Sequence, residues 1–118
     1  MNLGRGHTAR KQTSNPRAWY MEKFYNIVWG ENGAESPSQI AFLLALWHFL
    51  EVEGKQPTDA EMAARIRASA RTVARARLEL EAQGWFVRSR QHTYTWTRED
   101  VATLSKVATL SKVATLSK

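Results

Sequence analysis

Cysteine is missing from the 118-residue sequence, which excludes disulfide bonds, cysteine-ligated zinc and thiol catalysis. Histidine is scarce: the three His residues are scattered, and no His-x-x-x-His pair, paired acidic metal motif or glycine-rich phosphate loop occurs. These gaps predict a protein that is not an enzyme and that uses no metal, no cofactor and no small-molecule substrate.

Long apolar runs are missing as well. The longest, residues 40–50, is too short to span a bilayer and contains His48. The first 13 residues are polar and basic and have no apolar stretch of the kind found in secretory signals. We therefore expect a soluble, cytoplasmic protein with no membrane partner.

Positive charge is plentiful but unevenly distributed. The net charge of +6 favours a polyanionic partner. Residues 1–17 carry four basic residues and no acid, residues 18–57 carry two Lys against five Glu, and residues 58–90 carry seven Arg against four acids. A basic arm and a basic second half therefore flank an acidic middle.

The length suits one compact domain. Residues 1–15 are predicted to be a disordered basic arm, residues 16–97 the folded domain, and residues 98–118 a basic tail that is weakly ordered or helical. The tail contains the hexapeptide Val-Ala-Thr-Leu-Ser-Lys three times in succession. Its apolar residues recur every three positions, which matches neither a helix nor a strand.

Helix start signals divide the folded domain. A first helix is predicted to begin at Pro16. Ser36 and Gln39 form the pattern of a capping box before a nearly all-apolar helix, which should be the buried centre. Thr58 and Glu61 form a second such pattern before a short helix.

A further helix and a hairpin complete the pattern. Ser69 is the predicted cap of a helix that runs to Gln83, with Gly84 as its stop. Residues 85–88 and 93–96 are rich in aromatic and β-branched residues, which is typical of a β-hairpin. The predicted fold class is mainly α with a small β-hairpin.

The tryptophans allow two interpretations. Aromatic side chains among basic residues can stack on single-stranded bases. Trp19, Trp29 and Trp47, however, occur at helical spacing in the acidic half, and Trp85 begins the hairpin. We interpret all four as core residues.

A short helix, a tight break, a second helix, a glycine and a two-stranded hairpin follow one another in winged helix–turn–helix proteins. Three segments carry the pattern: TDAEMAARI at 58–66, SARTV at 69–73 and LEAQGW at 80–85. They resemble GntR-like and MarR-like repressors, and still more the helix–turn–helix domains of phage and plasmid replication proteins, over residues 36–96. The resemblance implies a recognition helix at 70–83 and a basic wing at 85–96. Arg67 and Ala68 depart from it, since the turn usually holds Gly and an aliphatic residue, and Arg77 stands where Leu is usual.

The recognition helix has two distinct faces. At about 100° per residue, one face points to the core with Val73, Ala76 and Leu80. Arg71, Arg75 and Leu78 fall on the opposite face. Arginine pairs with the N7 and O6 atoms of guanine in the major groove. We hypothesise base readout by Arg71 and Arg75, with Thr72 contacting phosphate or base near the helix N-terminus.

Other residues are expected to contact the DNA backbone or minor groove. The full predicted set is Arg10, Lys11, Arg65, Arg67, Ser69, Arg71, Thr72, Arg75, Arg88, Arg90 and His92. A plain turn residue remains an equal interpretation of His92, and a solvated tail an equal interpretation of the arm.

The predicted function is sequence-specific binding of double-stranded DNA, controlling plasmid or phage replication or transcription at the nucleoid. A homodimer is expected, because helix–turn–helix proteins commonly bind paired half-sites. The alternative is a winged helix that serves protein–protein interaction without specific DNA readout.

Overall fold

The computed structural model describes residues 16–116, and the side chains of residues 18–110. The helices are α1 (Pro16–Trp29), α2 (Pro37–Trp47), α3 (Asp59–Ile66), α4 (Ala70–Ala82) and α5 (Glu99–Leu116). The strands are β1 (Phe86–Arg88) and β2 (Tyr94–Trp96), and α2 continues into a π-helical turn, His48–Val52. The mainly helical fold with one small antiparallel sheet is confirmed. The predicted basic arm, with Arg10 and Lys11, lies outside the described residues.

The start of α2 differs in one detail from the capping box expected there. The Ser36 hydroxyl accepts the Gln39 backbone N–H at 3.2 Å, as predicted. The Gln39 side-chain oxygen, however, accepts the N–H of Glu35 at 2.9 Å rather than that of Ser36. Gln39 is buried, and its Nε2 donates to Glu79 Oε1 of α4 at 3.0 Å. The amide therefore joins two helices instead of closing a local box.

The starts of α3 and α4 agree with the sequence. Thr58 N–H donates to Glu61 Oε1 at 2.9 Å and Glu61 N–H donates to Thr58 Oγ1 at 3.1 Å, which completes a capping box. Ser69 Oγ accepts the Thr72 N–H at 3.1 Å. Both caps satisfy amide groups that a helix N-terminus leaves without partners, and they fix where the two helices begin.

The core lies around α2, which packs against α1, α3 and α4. Phe24 of α1 stacks on Trp47 with ring centroids 4.5 Å apart, and Phe42 stacks on Phe86 of the hairpin at 5.8 Å. The inner face predicted for α4 is confirmed, with relative exposures of 0%, 1% and 0% for Val73, Ala76 and Leu80.

The tryptophan prediction is only half right. Trp47 and Trp85 are buried, but Trp19 and Trp29 are 49% and 62% exposed, so the core assignment is wrong for these two. The reason is rotation along α1, where Phe24 marks the side that faces α2. Both exposed tryptophans are five residues from Phe24, which places them about 140° around the helix from it.

The hairpin is held on its outer edge by a side chain. Its strands pair Phe86 with Trp96 and Arg88 with Tyr94. On the free edge of β2, Tyr94 N–H donates to Gln56 Oε1 at 2.8 Å, and Gln56 Nε2 donates to Tyr94 O at 3.4 Å. A glutamine amide thus pairs with the strand where another strand could otherwise hydrogen-bond.

The repetitive tail forms one helix, α5, that packs against α1 and β2. Six residues turn an α-helix through about 240° net, so identical residues in successive repeats face different sides. Val101 is fully buried, whereas Val107, its equivalent in the next repeat, is 43% exposed. The first repeat is therefore part of the folded core rather than an appended segment. None of the helices described is long and apolar enough to cross a bilayer.

This difference gives a matched pair of variants. Val101→Ala removes two buried methyl groups and should lower the free energy of unfolding by about 2 kcal/mol. Val107→Ala makes the same chemical change at an exposed site and should alter it by less than about 0.5 kcal/mol. Urea titration of both variants measures the two values. Equal effects would contradict the packing of α5.

Candidate nucleic-acid interface

The outer face of α4 carries two arginines one helical turn apart. Arg71 and Arg75 are exposed, opposite the side on which Val73 and Leu80 are buried. Within residues 18–110, no acidic side chain lies within ion-pair distance of either guanidinium group. Both groups are therefore available to an external anion or hydrogen-bond acceptor.

Small residues surround these arginines at the start of α4. Ala70 is exposed, and Thr72 and Ala74 are partly exposed. The hydroxyls of Ser69 and Thr72, both predicted to contact DNA, are already engaged with each other, because Ser69 Oγ donates to Thr72 Oγ1 at 3.0 Å. Ser69 thus acts first as the helix cap, and the small side chains leave the backbone accessible at this end of the helix.

Arg67 occupies the turn between α3 and α4 in a left-handed conformation, with φ 57° and ψ 48°. Its N–H donates to Ala63 O, which ends α3. Glycine is the residue that adopts such a conformation without steric cost. The side chain is exposed and has no ion-pair partner among residues 18–110.

Arg65 differs from the preceding residues because it has partners within the protein. Its Nη2 lies 2.9 Å from Glu53 Oε2, its guanidinium carbon lies 4.1 Å from the ring centre of Phe49, and its Nη1 is 3.3 Å from His48 Nδ1. The hydrogen bond with His48, together with Arg65, lowers the pKa of Glu53 below its usual value. Arg65 therefore contributes less free positive charge than the sequence suggests.

Arg88 is not on the surface expected of a wing residue. Its side chain is 14% exposed, and its Nη2 lies 3.5 Å from Asp59 Oδ1. Side chains alternate along a strand, so Arg88 shares the inner side of β1 with the buried Phe86, while Val87 points outward. The contact of Arg88 with DNA stays a prediction, and the alternation of side chains along the strand in the sequence already indicated the inner position of this residue.

Asp59 joins three elements, which the sequence interpretation missed. Its Oδ2 lies 3.4 Å from Arg77 Nη2 of α4, while its Oδ1 faces Arg88 of β1. Arg77 is thereby accommodated beside the core with 16% of its side chain exposed. Tyr94 completes the cluster: Arg88 lies 5.5 Å from its ring centre, and its hydroxyl has no hydrogen-bond partner among the described residues.

The tip of the hairpin is exposed and tightly turned. Ser89 N–H donates to Thr93 O at 2.9 Å, and His92 adopts a left-handed conformation with φ 64°. Arg90 and His92 both face solvent. Within residues 18–110, Arg90 has no ion-pair partner, so the tip of the hairpin carries an unpaired positive charge.

The six arginines within residues 18–110 that were predicted to bind DNA therefore divide into two groups. Four arginines are exposed without an acidic partner in the part of the chain whose side chains are described: Arg67, Arg71, Arg75 and Arg90. Arg65 and Arg88 are held by acidic residues of the protein. Comparison with known protein families, with characterised proteins and with solved structures finds no match to this chain.

Ionisation of Tyr94 should weaken the fold at alkaline pH. Burial raises the pKa of Tyr94 to about 12, against about 10 in the unfolded chain. The unfolded chain therefore loses this proton first, and the free energy of unfolding should fall by about 2 kcal/mol as pH rises from about 10 to 12. Urea titrations across this range measure the fall.

Tyr94→Phe is the control for that measurement. It removes a hydroxyl that has no partner among the described residues, so stability near pH 7 should change little. The part of the decrease in the free energy of unfolding at alkaline pH that is due to Tyr94 should be absent from the variant. An identical pH profile in both proteins would show that this tyrosine is not buried in solution.

The left-handed turn can be tested at Arg67. Arg67→Gly and Arg67→Ala remove the same guanidinium group, but only alanine brings a Cβ atom into the strained conformation. The glycine variant should be more stable than the alanine variant by about 1 kcal/mol in chemical denaturation. An alanine variant of equal or greater stability would exclude the left-handed turn.

Proposed function

We propose that this protein binds double-stranded DNA sequence-specifically as a winged helix–turn–helix. In this proposal α3 and α4 form the helix–turn–helix, α4 enters the major groove, and the β1–β2 hairpin is the wing. The protein acts by binding and controls replication of a plasmid or phage, or transcription, as a homodimer on paired half-sites.

One observation carries the proposal: Arg71 and Arg75 are exposed and lack acidic partners within residues 18–110. Four residues of helix rise about 6 Å, which is close to two base-pair steps of duplex DNA. Two guanidinium groups at this spacing can reach guanine edges at neighbouring positions of one groove.

The charge along α4 supports the direction of insertion. Arg71 and Arg75 lie in its first half, whereas Glu79 and Glu81 lie in its second half. Glu79 accepts from Gln39 of α2, and Glu81 Oε2 accepts the Arg88 N–H at 3.3 Å, so both acids face the protein's own groups. The basic half coincides with the helix N-terminus, whose free amides also favour phosphate.

The ion cluster at Asp59 supports a preorganised interface. Asp59 belongs to the first turn of α3, Arg77 to α4 and Arg88 to β1. Their contacts fix α4 against both the preceding helix and the hairpin. A helix held in this way fixes the backbone positions from which its exposed side chains project towards a partner.

A protein–protein function is the second candidate, and it rests on a different surface. Trp29 of α1 and Leu110 of α5 are each 62% exposed, and Trp19, Tyr25 and Val107 are exposed on the same two helices. Trp19 and Val107 line one groove between these two helices, with Leu104 beside them, and an exposed apolar groove of this kind favours a protein partner, such as a second copy of this chain. This surface does not involve α4, so the two functions can be separated by mutation.

The deciding experiment is selection of bound sequences from random duplexes at fixed salt, followed by affinity measurements on the selected site. Arg71→Ala and Arg75→Ala should each weaken binding by about 1–3 kcal/mol, or about 5- to 150-fold, if each arginine pairs with a guanine. Salt must be held constant, because phosphate contacts make affinity steeply salt-dependent.

Lys106→Ala is the matched control. Lys106 is exposed on α5 and its loss changes the net charge by the same amount as the loss of one arginine. It should leave the affinity for the selected site nearly unchanged. If all three variants weaken binding equally, the loss of affinity is due to net charge. If no variant weakens DNA binding and each still binds a protein partner, the second candidate function is favoured.

A further inference from the structure

Leu78 is 59% exposed on α4, a helix whose other large apolar side chains, Val73 and Leu80, are fully buried. It follows Arg71 by seven residues, which is close to two full turns, so the two side chains lie on nearly the same line of the helix surface. Arg75 lies between them in sequence and about 40° around the helix from Arg71. An exposed leucine therefore belongs to the same face as two unpaired cations.

The residues one turn before and after Leu78 do not cover it. Ala74 and Ala82 are small, and Ala82 is exposed. Leaving a leucine in water forgoes the free energy that burial of its apolar surface would contribute. The core of the domain does not use this side chain, so burial against a ligand would recover part of that free energy.

The major groove offers one apolar group at the base edges, the C5-methyl of thymine. A face that combines arginines with a leucine matches a groove edge that presents guanine acceptors and thymine methyl groups together. Seven residues of helix rise about 10.5 Å, which corresponds to about three base-pair steps of duplex DNA. An apolar docking site on another protein would instead have to accommodate two cations at its edge.

We propose that Leu78 reads thymine through its methyl group and so sets the sequence preference about three base-pair steps from the guanine paired with Arg71. This inference rests on the proposed DNA-binding function and names a base at the same interface. The predicted site contains guanine and thymine at a spacing fixed by the helix, and cytosine or adenine at the thymine position binds less well.

Deoxyuridine is the probe, because it differs from thymidine only by the missing methyl group. In the duplex selected by the unaltered protein, each thymine is replaced in turn by deoxyuridine. One replacement should weaken binding about fourfold, which corresponds to about 0.8 kcal/mol for one buried methyl group. Leu78→Ala should bind the thymine and deoxyuridine duplexes equally.

Val87→Ala is the control, since Val87 is also an exposed apolar residue, 48% exposed, but on β1. It should keep the preference for thymine over deoxyuridine. The proposal is overturned if Leu78→Ala keeps that preference, or if no deoxyuridine replacement weakens binding by the unaltered protein. In either case loss of binding by Arg71→Ala would still support the DNA-binding function, so the two failures are distinguishable.

Two other outcomes also count against this inference. If the unaltered protein selects no duplex, the DNA-binding function and the reading of thymine fail together. If Leu78→Ala loses a protein partner while its DNA affinity is unchanged, Leu78 belongs to a protein-docking surface and not to a groove-reading one. Because Leu78 is exposed, the variant should fold, and its thermal unfolding checks this directly.

Discussion

The carboxylate of Asp59 lies between two guanidinium groups, Arg77 from α4 and Arg88 from β1. These arginine side chains are largely removed from water, and a charge in such a place is costly unless an opposite charge accompanies it. The single carboxylate of Asp59 in α3 thus balances the charges of two arginines, one from α4 and one from β1, where these three elements meet. The contact holds α4 beside α3 and β1 with its apolar face inward, which is the orientation in which Arg71 is exposed.

Local patterns in the sequence predicted local structure well. The cap at Ser69 and the capping box at Thr58 involve neighbours three residues away, so the sequence contains all their participants. The inner face of α4 follows from helical periodicity alone. Trp19 and Trp29 were misplaced because α1 is apolar on more than one side, and periodicity does not show which side a neighbouring helix will cover.

The candidate site was predicted less completely, for an electrostatic reason. Which arginines remain free depends on where the acidic residues come to lie, and that is a property of the tertiary fold. Glu53 reaches Arg65 from the turn after α2, and Asp59 reaches Arg88 from far along the chain. The amino-acid composition gives the number of charged residues but not which of them form ion pairs. Arg71 remains unpaired because no acidic side chain within residues 18–110 lies within ion-pair distance of its guanidinium group.

The mismatch between a hexapeptide period and the helical turn has a consequence for how the tail can vary. Each added copy lengthens α5 by about 9 Å and points its side chains in a new direction, and the original orientation returns only after about five turns. Copies gained or lost beyond the second therefore leave the buried side chains of Val101 and Ala108 in place. The number of hexapeptide copies can therefore change without a change in the fold of the domain. Each change in the length of α5 alters the set of side chains that the end of this helix exposes.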